Sequence, residues 1–284
     1  MQKEVYLKSA SAIVKIVAEE DILDKTIADD FFSSYIPSVE IVSGDTCDAT
    51  IVVEQGDTSH IDIEYPIVKM TVASFHPKDL VSLAEYVLER ARQEKGIICV
   101  HGASAIVNGK AVISWGTATG MGKTTLAIEL ADSGNEFYSD EKVLVDLINK
   151  KVVGRIANQY ISNDYWRKKY GNEKFRTVAN LSSDITYDIG LFVHAIICNQ
   201  PETMVDSWTA DKFFWHLYEE SCRKIRGTSR MFFGFTTPIE SLDTIKLATT
   251  RLNLVKEFTK VVPSMYFKGR AEVAVDTIVD MINK

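Results

Sequence analysis

Ten consecutive residues could do chemistry on their own: Gly116, Thr117, Ala118, Thr119, Gly120, Met121, Gly122, Lys123, Thr124 and Thr125. A β-branched run, Val112-Ile113-Ser114-Trp115, precedes them, and a helical pattern from Lys123 to Asp132 follows. Glycines let backbone N–H groups approach phosphate oxygens without an intervening Cβ. A helix starting there adds the partial positive charge of its N-terminus. The pattern therefore predicts a loop for the phosphates of a nucleoside triphosphate, ATP with Mg²⁺. Lys123 would reach the β- and γ-phosphates, and the Thr124 hydroxyl would ligate the metal. One departure stands out: the first glycine of the usual motif falls on Thr117, and the glycine lies one place earlier, at Gly116.

Phosphoryl transfer also needs a carboxylate for the metal and one to orient or deprotonate the acceptor. Asp140-Glu141 follows the strand-like Glu136–Ser139 soon after the loop helix. A strand returning beside the loop would set these acids near Thr124. The same pair also reads as a solvated turn. His101-Gly102 precedes the hairpin that feeds the loop, and on residue type alone a lone histidine serves structure more readily than chemistry.

Taken in order, His-Gly, hairpin, Gly-x-Gly-Lys-Thr, helix and acidic pair, the block from His101 to Asp146 resembles the catalytic core of HPr kinase/phosphorylase. It is similar also to that enzyme's relatives in the phosphoenolpyruvate carboxykinase-like superfamily. The resemblance implies that Gly120, Gly122, Lys123 and Thr124 hold phosphates and Mg²⁺, and that Asp140 is the base toward an acceptor hydroxyl. It implies that Glu141 takes a metal-side position beside Asp140, where the kinases carry a second aspartate, and that His101 lies near the transferred phosphate. The glycine-rich signature of true HPr kinases is missing after the acidic pair, and Arg226-Gly227 lies too far downstream to supply it. The stretch from Val261-Val262-Pro263-Ser264 through Tyr266-Phe267 resembles divergent HPr-kinase-related proteins, which include small-molecule serine kinases and peptide-modifying kinases.

Charge stabilisation in the transition state calls for an arginine, and Arg155, Arg167, Arg176, Arg226 and Arg230 are candidates. The segment Arg223–Arg230 reads either as a solvated helix end or as a clamp for an acidic substrate. Tyr165–Tyr170 mixes bases with aromatics and reads as an acceptor loop before a nucleic-acid surface. Trp208, Phe213, Phe214 and Trp215 read as core or interface packing.

These groups need a scaffold. Strand patterns cover Ser11–Ala18, Val39–Val42, Ala49–Val53 and Ile61–Val72, with helical spacing across Asp21–Tyr35. Pro77 opens an amphipathic helix that Gly96 closes, with Leu80, Val81, Ala84, Val87, Leu88 and Ala91 on one face. Ile97–Val107 and Lys110–Trp115 form a hairpin through Asn108-Gly109. Phe137–Asp146 and Lys151–Ile156 read as strands turning at Asn149-Lys150, and residues 157–183 read as irregular. Ile189–Ile197 reads as a strand buried on both faces. Ala210–Ile225, Ala271–Ile282 and part of Leu242–Phe258 read as helices. The fold expected is α/β, a mixed sheet with helices of the HPr-kinase/carboxykinase-like kind over residues 97–284. A smaller N-terminal α+β domain would occupy residues 1–96.

The chain has 284 residues, 46% hydrophobic and 25% charged, enough to bury a sizeable core. A net charge of −7 supplies no global basic field for nucleic acid or an anionic membrane. No apolar run is long enough to span a bilayer, and no leader pattern opens the chain. Cys47, Cys99, Cys198 and Cys222 form no metal-ligand spacing and read as buried thiols of a reducing, cytoplasmic compartment. The expected activity is ATP- and Mg²⁺-dependent transfer of a phosphoryl group to a serine-like hydroxyl of a small molecule or peptide. An HPr-type protein kinase/phosphorylase and a nucleotide-dependent regulatory switch are the alternatives. Self-association into a homo-oligomer is left open.

Overall fold

The computed structural model describes residues 1–28, 30–116, 118–156, 160–161, 176–177, 180–227, 232–235 and 238–283. For residues 160, 161, 176 and 177 it describes the backbone alone. Thr117, Arg167, Arg230 and Tyr165–Tyr170 fall outside the described residues, as does the side chain of Arg176.

Two compact units divide the chain. The first comprises Met1–Ile98 together with Tyr218–Asn253; the second comprises Cys99–Leu217 and Leu254–Lys284. A single cut at residue 96 therefore misses a return of the chain. Ile225, Ile239, Leu242 and Leu247 explain that return, because they are buried in the same apolar cluster as Leu80, Leu83 and Val87. The first unit is consequently larger than the N-terminal segment expected.

In the first unit six strands form one mixed sheet: β1 Gln2–Ser9, β2 Ala12–Glu19, β3 Val39–Val42, β4 Ala49–Gln55, β5 His60–Glu64 and β6 Ile67–Val72. Their order is β3-β1-β2-β4-β6-β5. The expected strand Ile61–Val72 is a hairpin, β5 pairing antiparallel with β6 and turning at Tyr65-Pro66. Asp21–Tyr35 resolves into α1 Glu20–Ala28 and α2 Phe31–Tyr35, with Asp30 between them in the left-handed region at φ 52°. Helix α3, Pro77–Glu94, begins at His76, whose ring accepts from the Lys78 amide. It is not a one-faced amphipathic helix. Its residues from Asp79 to Gln93 are buried almost continuously, Glu85, Glu89, Arg90 and Arg92 among them.

Eight strands build the sheet of the second unit: β7 Ile97–Val107, β8 Lys110–Trp115, β9 Glu136–Ser139, β10 Lys142–Asp146, β11 Lys151–Arg155, β14 Tyr187–Ile197, β15 Met204–Ser207 and β16 Ser264–Gly269. Between β11 and β14 in the chain, the short β12 Tyr160–Ile161 and β13 Arg176–Thr177 pair with each other. The path runs β11-β10-β7-β8-β14-β16-β15, with β9 paired to β7. Strands β8, β14 and β16 are parallel, whereas β7 and β8 are antiparallel. Asn108 and Gly109 both take positive φ, 49° and 75°, as a tight two-residue hairpin requires. The α/β class and the mixed sheet expected from sequence are what the structure shows.

Helix α4 spans Lys123–Asp132, and Gly134 ends it at φ 95°. Helices α5 Ala210–Arg223, α6 Ile245–Val261 and α7 Ala271–Ile282 complete the described set. On one face of the second sheet, Leu126 and Leu130 of α4 pack with Val193, Met265, Ala274 and Ile278. The four cysteines are free, but only Cys99 and Cys222 are buried; Cys47 is exposed in the loop before β4, and Cys198 is half-buried. Among the described residues, no helix is long and apolar enough to cross a membrane.

Candidate functional site

The glycine loop joins β8 to α4, leaving the sheet at the carboxyl end of β8. Ligands in open α/β sheets characteristically bind outside such strand ends. Gly116, Gly120 and Gly122 all have positive φ, at 149°, 81° and 92°. A Cβ on Gly122 would overlap the Ile197 side chain, so glycine is required there on two counts. A Cβ on Gly120 would meet nothing within 4 Å, so only its φ, and no neighbour, favours glycine there. The Ile197 amide donates to Met121 O at 2.8 Å and ties the loop to the end of β14.

Ala118, Thr119 and Gly120 are exposed, and Met121 and Gly122 half-buried. Lys123 is buried, its Nζ donating to Ala118 O at 2.8 Å, so the cation closes back over its own loop. Thr125 is buried in the first turn of α4, while Thr124 keeps partial exposure. The Thr124 hydroxyl donates to Asp140 Oδ1 at 2.7 Å.

Asp140 is where the expected strand Phe137–Asp146 breaks. β9 ends at Ser139, β10 starts at Lys142, and Glu141 turns the chain at φ 65°. Residues β-branched or aromatic on both sides hide that break in a pattern reading. Strand β9 pairs with β7, so the acids approach Thr124 from across β7, not from a strand flanking β8 directly. Ser139 Oγ accepts from the Ile156 amide at 3.0 Å, fixing the turn from below.

His101 and Gly102 fix it from the other side. The Gly102 amide donates to Glu141 O at 3.2 Å, and His101 Nδ1 lies 3.0 Å from the same oxygen. A carbonyl can only accept, so that bond places the ring proton on Nδ1. Gly102 is needed because a Cβ there would sit 2.6 Å from Ser114 O on β8. The Glu141 carboxylate is exposed and lies 3.7 Å from His101 Nδ1, not against Thr124.

Asp140 is 8% exposed. Burial raises its pKa to about 6, and the neighbouring Glu141 charge pushes the same way. The Thr124 hydroxyl, the Glu141 amide and Lys123 oppose that rise without cancelling it. Oxygen donors from one hydroxyl and one carboxylate suit a hard divalent cation that keeps its remaining positions for phosphate and water. No cluster of three or more acids, histidines or cysteines fit to hold a metal occurs among the described residues. The donor set fits a Mg²⁺ ion that would take its remaining ligands from a bound phosphate and water.

Sequence reading missed a second group beside the loop. In register across the sheet, Trp115, His194 and Tyr266 are neighbours on β8, β14 and β16. His194 stacks on Trp208 at 5.1 Å, and His216 of α5 stacks on Trp208 at 4.7 Å. A Cβ on Gly116 would lie 3.4 Å from His194 Nε2, which places this ring at the loop entrance. Burial lowers the His194 pKa, helped by His216, Lys123 and Lys212; burial and Lys212 lower that of His216. Both shifts favour the neutral imidazole. Trp115 Nε1, Trp208 Nε1 and His194 Nδ1 find no hydrogen-bond partner among the described residues. The available signal was a titratable residue near the end of the apolar run Ile189–Ile197. Phe213 is core as expected, but Trp215 is 67% exposed.

The described arginine candidates are engaged elsewhere. Arg155 donates to Ser182 O at 2.8 Å and lies over the Tyr138 ring. Arg226 pairs with Glu219, and Arg223 and Lys224 pair with Glu220, all within the first unit.

No family model matches the chain, and no curated protein matches it either. Among solved structures it is similar to the Hpr(Ser) kinase/phosphatase from Coxiella burnetii. The identity is 13% over 65% of this chain and 93% of that one, with a TM-score of 0.29. A likeness this distant says nothing about activity.

Proposed function

We propose that the chain is an ATP- and Mg²⁺-dependent kinase that phosphorylates a hydroxyl of a small molecule or peptide. The observation that carries this reading is the 2.7 Å contact between Thr124 Oγ1 and Asp140 Oδ1 at the mouth of the glycine loop. It joins a metal-type hydroxyl to a buried carboxylate whose pKa is about 6. ATP with Mg²⁺, when bound, supplies the phosphoryl group and neutralises its charge.

The protein's own groups do the rest. The backbone amides of residues 118–123 and the N-terminus of α4 bind phosphate oxygens. Lys123 Nζ, which now donates to Ala118 O at 2.8 Å, would donate to a phosphate oxygen when the nucleotide is bound. Thr124 and Asp140 would offer oxygens to the metal side, and Asp140 would take the proton of the acceptor hydroxyl as its oxygen bonds to the γ-phosphorus and ADP leaves. A base with a pKa near 6 is ionised at neutral pH yet basic enough to accept a proton. His101 holds the Asp140-Glu141 turn through Glu141 O.

Asp140→Asn tests the reading. It preserves the carbonyl that accepts from Thr124 but removes the base, so ATP binding should persist while transfer falls about 10²–10⁴-fold. Turnover like wild type in this variant would reject Asp140 as the base. ATP hydrolysis that appears only with a protein partner, with no labelled acceptor, would favour a nucleotide switch. Phosphorylation of HPr itself would favour the HPr-type enzyme.

A further inference from the structure

The glycine loop meets β14 at two points. At the loop's exit, the Ile197 side chain fills the space that a Cβ on Gly122 would take, and the Ile197 amide donates to Met121 O at 2.8 Å. At its entrance, a Cβ on Gly116 would lie 3.4 Å from His194 Nε2 and 2.9 Å from Met121 Sδ. Residues 194 and 197 are three apart on one strand, so their side chains point to opposite faces of the sheet. One strand thus braces the loop from both faces, and each bracing point falls at a glycine. The departure seen in the sequence has its reason here. The glycine stands at Gly116, one place ahead of the usual motif position at Thr117, where a ring and a thioether leave no room for a Cβ.

The His194 ring is itself held. It stacks with Tyr266 at 6.0 Å between ring centres and with Trp208 at 5.1 Å, and His216 extends the stack on Trp208 at 4.7 Å. Trp115 meets the same imidazole edge-on at 6.0 Å. These rings come from β8, β16, α5 and the link between β15 and α5. Offset-stacked and edge-on rings fix one another's orientation, and a group seated among packed elements holds its place better than a loop does alone.

We propose that His194 is a positioning residue for the nucleotide loop: its ring, seated in this stack, holds Gly116 and the loop entrance in the shape that takes phosphates. This rests on the loop binding a nucleotide, as proposed above, and is independent of Asp140 as the base.

Calorimetry of the full chain with Mg²⁺ and a non-hydrolysable ATP analogue tests it, with the urea midpoint of each variant read alongside. Wild type should bind saturably. His194→Gln keeps a side-chain nitrogen but loses the ring, and should weaken binding about tenfold or more while its midpoint stays close to wild type. His194→Phe keeps a ring in the stack and should recover most of the affinity. Wild type that binds no analogue would remove the loop reading and the proposal together. Wild type that binds, with His194→Gln binding equally well, would remove the proposal alone. Affinity kept in His194→Gln and lost in His194→Phe would make the imidazole nitrogen a ligand contact and overturn positioning by the ring. Affinity lost only where the midpoint collapses would leave His194 a purely structural residue and overturn it as well.

Discussion

Two buried carboxylate environments in this chain are solved in opposite ways. On α3, Glu89 accepts from Arg92 Nε and Nη2 at 3.2 and 3.0 Å and from Gln93 Nε2 at 2.8 Å. Arg92 in turn pairs with Glu85 at 3.0 Å and donates to Ser9 Oγ at 2.9 Å. Gln93 Oε1 accepts from Arg251, which is bidentate on Asp243. Each charge there meets an opposite charge or a fitted donor. Asp140 is buried almost as deeply, yet its pKa sits near 6 because Thr124, Lys123 and the Glu141 amide answer only part of its burial. Matched charges specify structure; an under-matched carboxylate stores a free-energy cost that a ligand or proton can relieve.

The contrast breaks or sharpens under substitution. Arg92→Met should have the largest effect, destabilising the protein by about 3–5 kcal/mol in urea unfolding, because Glu85 and Glu89 are left buried without their cation. A loss below about 1 kcal/mol would mean the network is not matched in solution. Gly122→Ala comes next, at about 1–3 kcal/mol, since it combines an unfavourable φ with an overlap on Ile197. It should lower nucleotide affinity as well, read by calorimetry.

Asp140→Asn should do the reverse of Arg92→Met and stabilise the metal-free protein. The folded pKa of about 6 lies above the ordinary 3.8, so the folded state binds the proton more tightly than the unfolded chain. Wild-type stability is therefore fullest below pH 3.8 and falls as pH rises through about 6. Asparagine carries no such penalty, so the variant should gain about 1–3 kcal/mol at pH 8 and nothing near pH 4. A gain that is the same at both pH values would remove the burial explanation. The smallest effect is kinetic: wild-type transfer should rise about tenfold per pH unit below 6 and level off above it.

Much of the scaffold was legible because its signals are local. Val39–Val42 and Ala271–Ile282 fall where pattern places them, and Asn108-Gly109 and Gly134 punctuate as their φ angles demand. Strand β1 was not, because Gln2, Lys3, Glu4 and Lys8 obscure the alternation of Val5, Leu7 and Ser9 that the sheet buries. The all-round burial of α3 was not, because the covering residues Ile225, Ile239, Leu242 and Leu247 lie far along the chain. Around the loop, the spacing singled out Thr124 and Asp140, whose side chains the structure brings into contact. The turn that presents Asp140 was not legible, since it depends on a positive φ at Glu141, a residue that rarely adopts one. His194 and its stacked partners needed the register of three strands to come together.

The grip on Glu141 O has a consequence for how this protein can change. Two donors hold that carbonyl, one from a ring and one from the main chain of Gly102. The place of Asp140, the base proposed above, is thus set largely by backbone, in a strand turn and its neighbour. The stacked rings beside the loop, Trp115, His194, Trp208 and His216, sit on other elements. Those residues can change without touching the turn that carries Asp140.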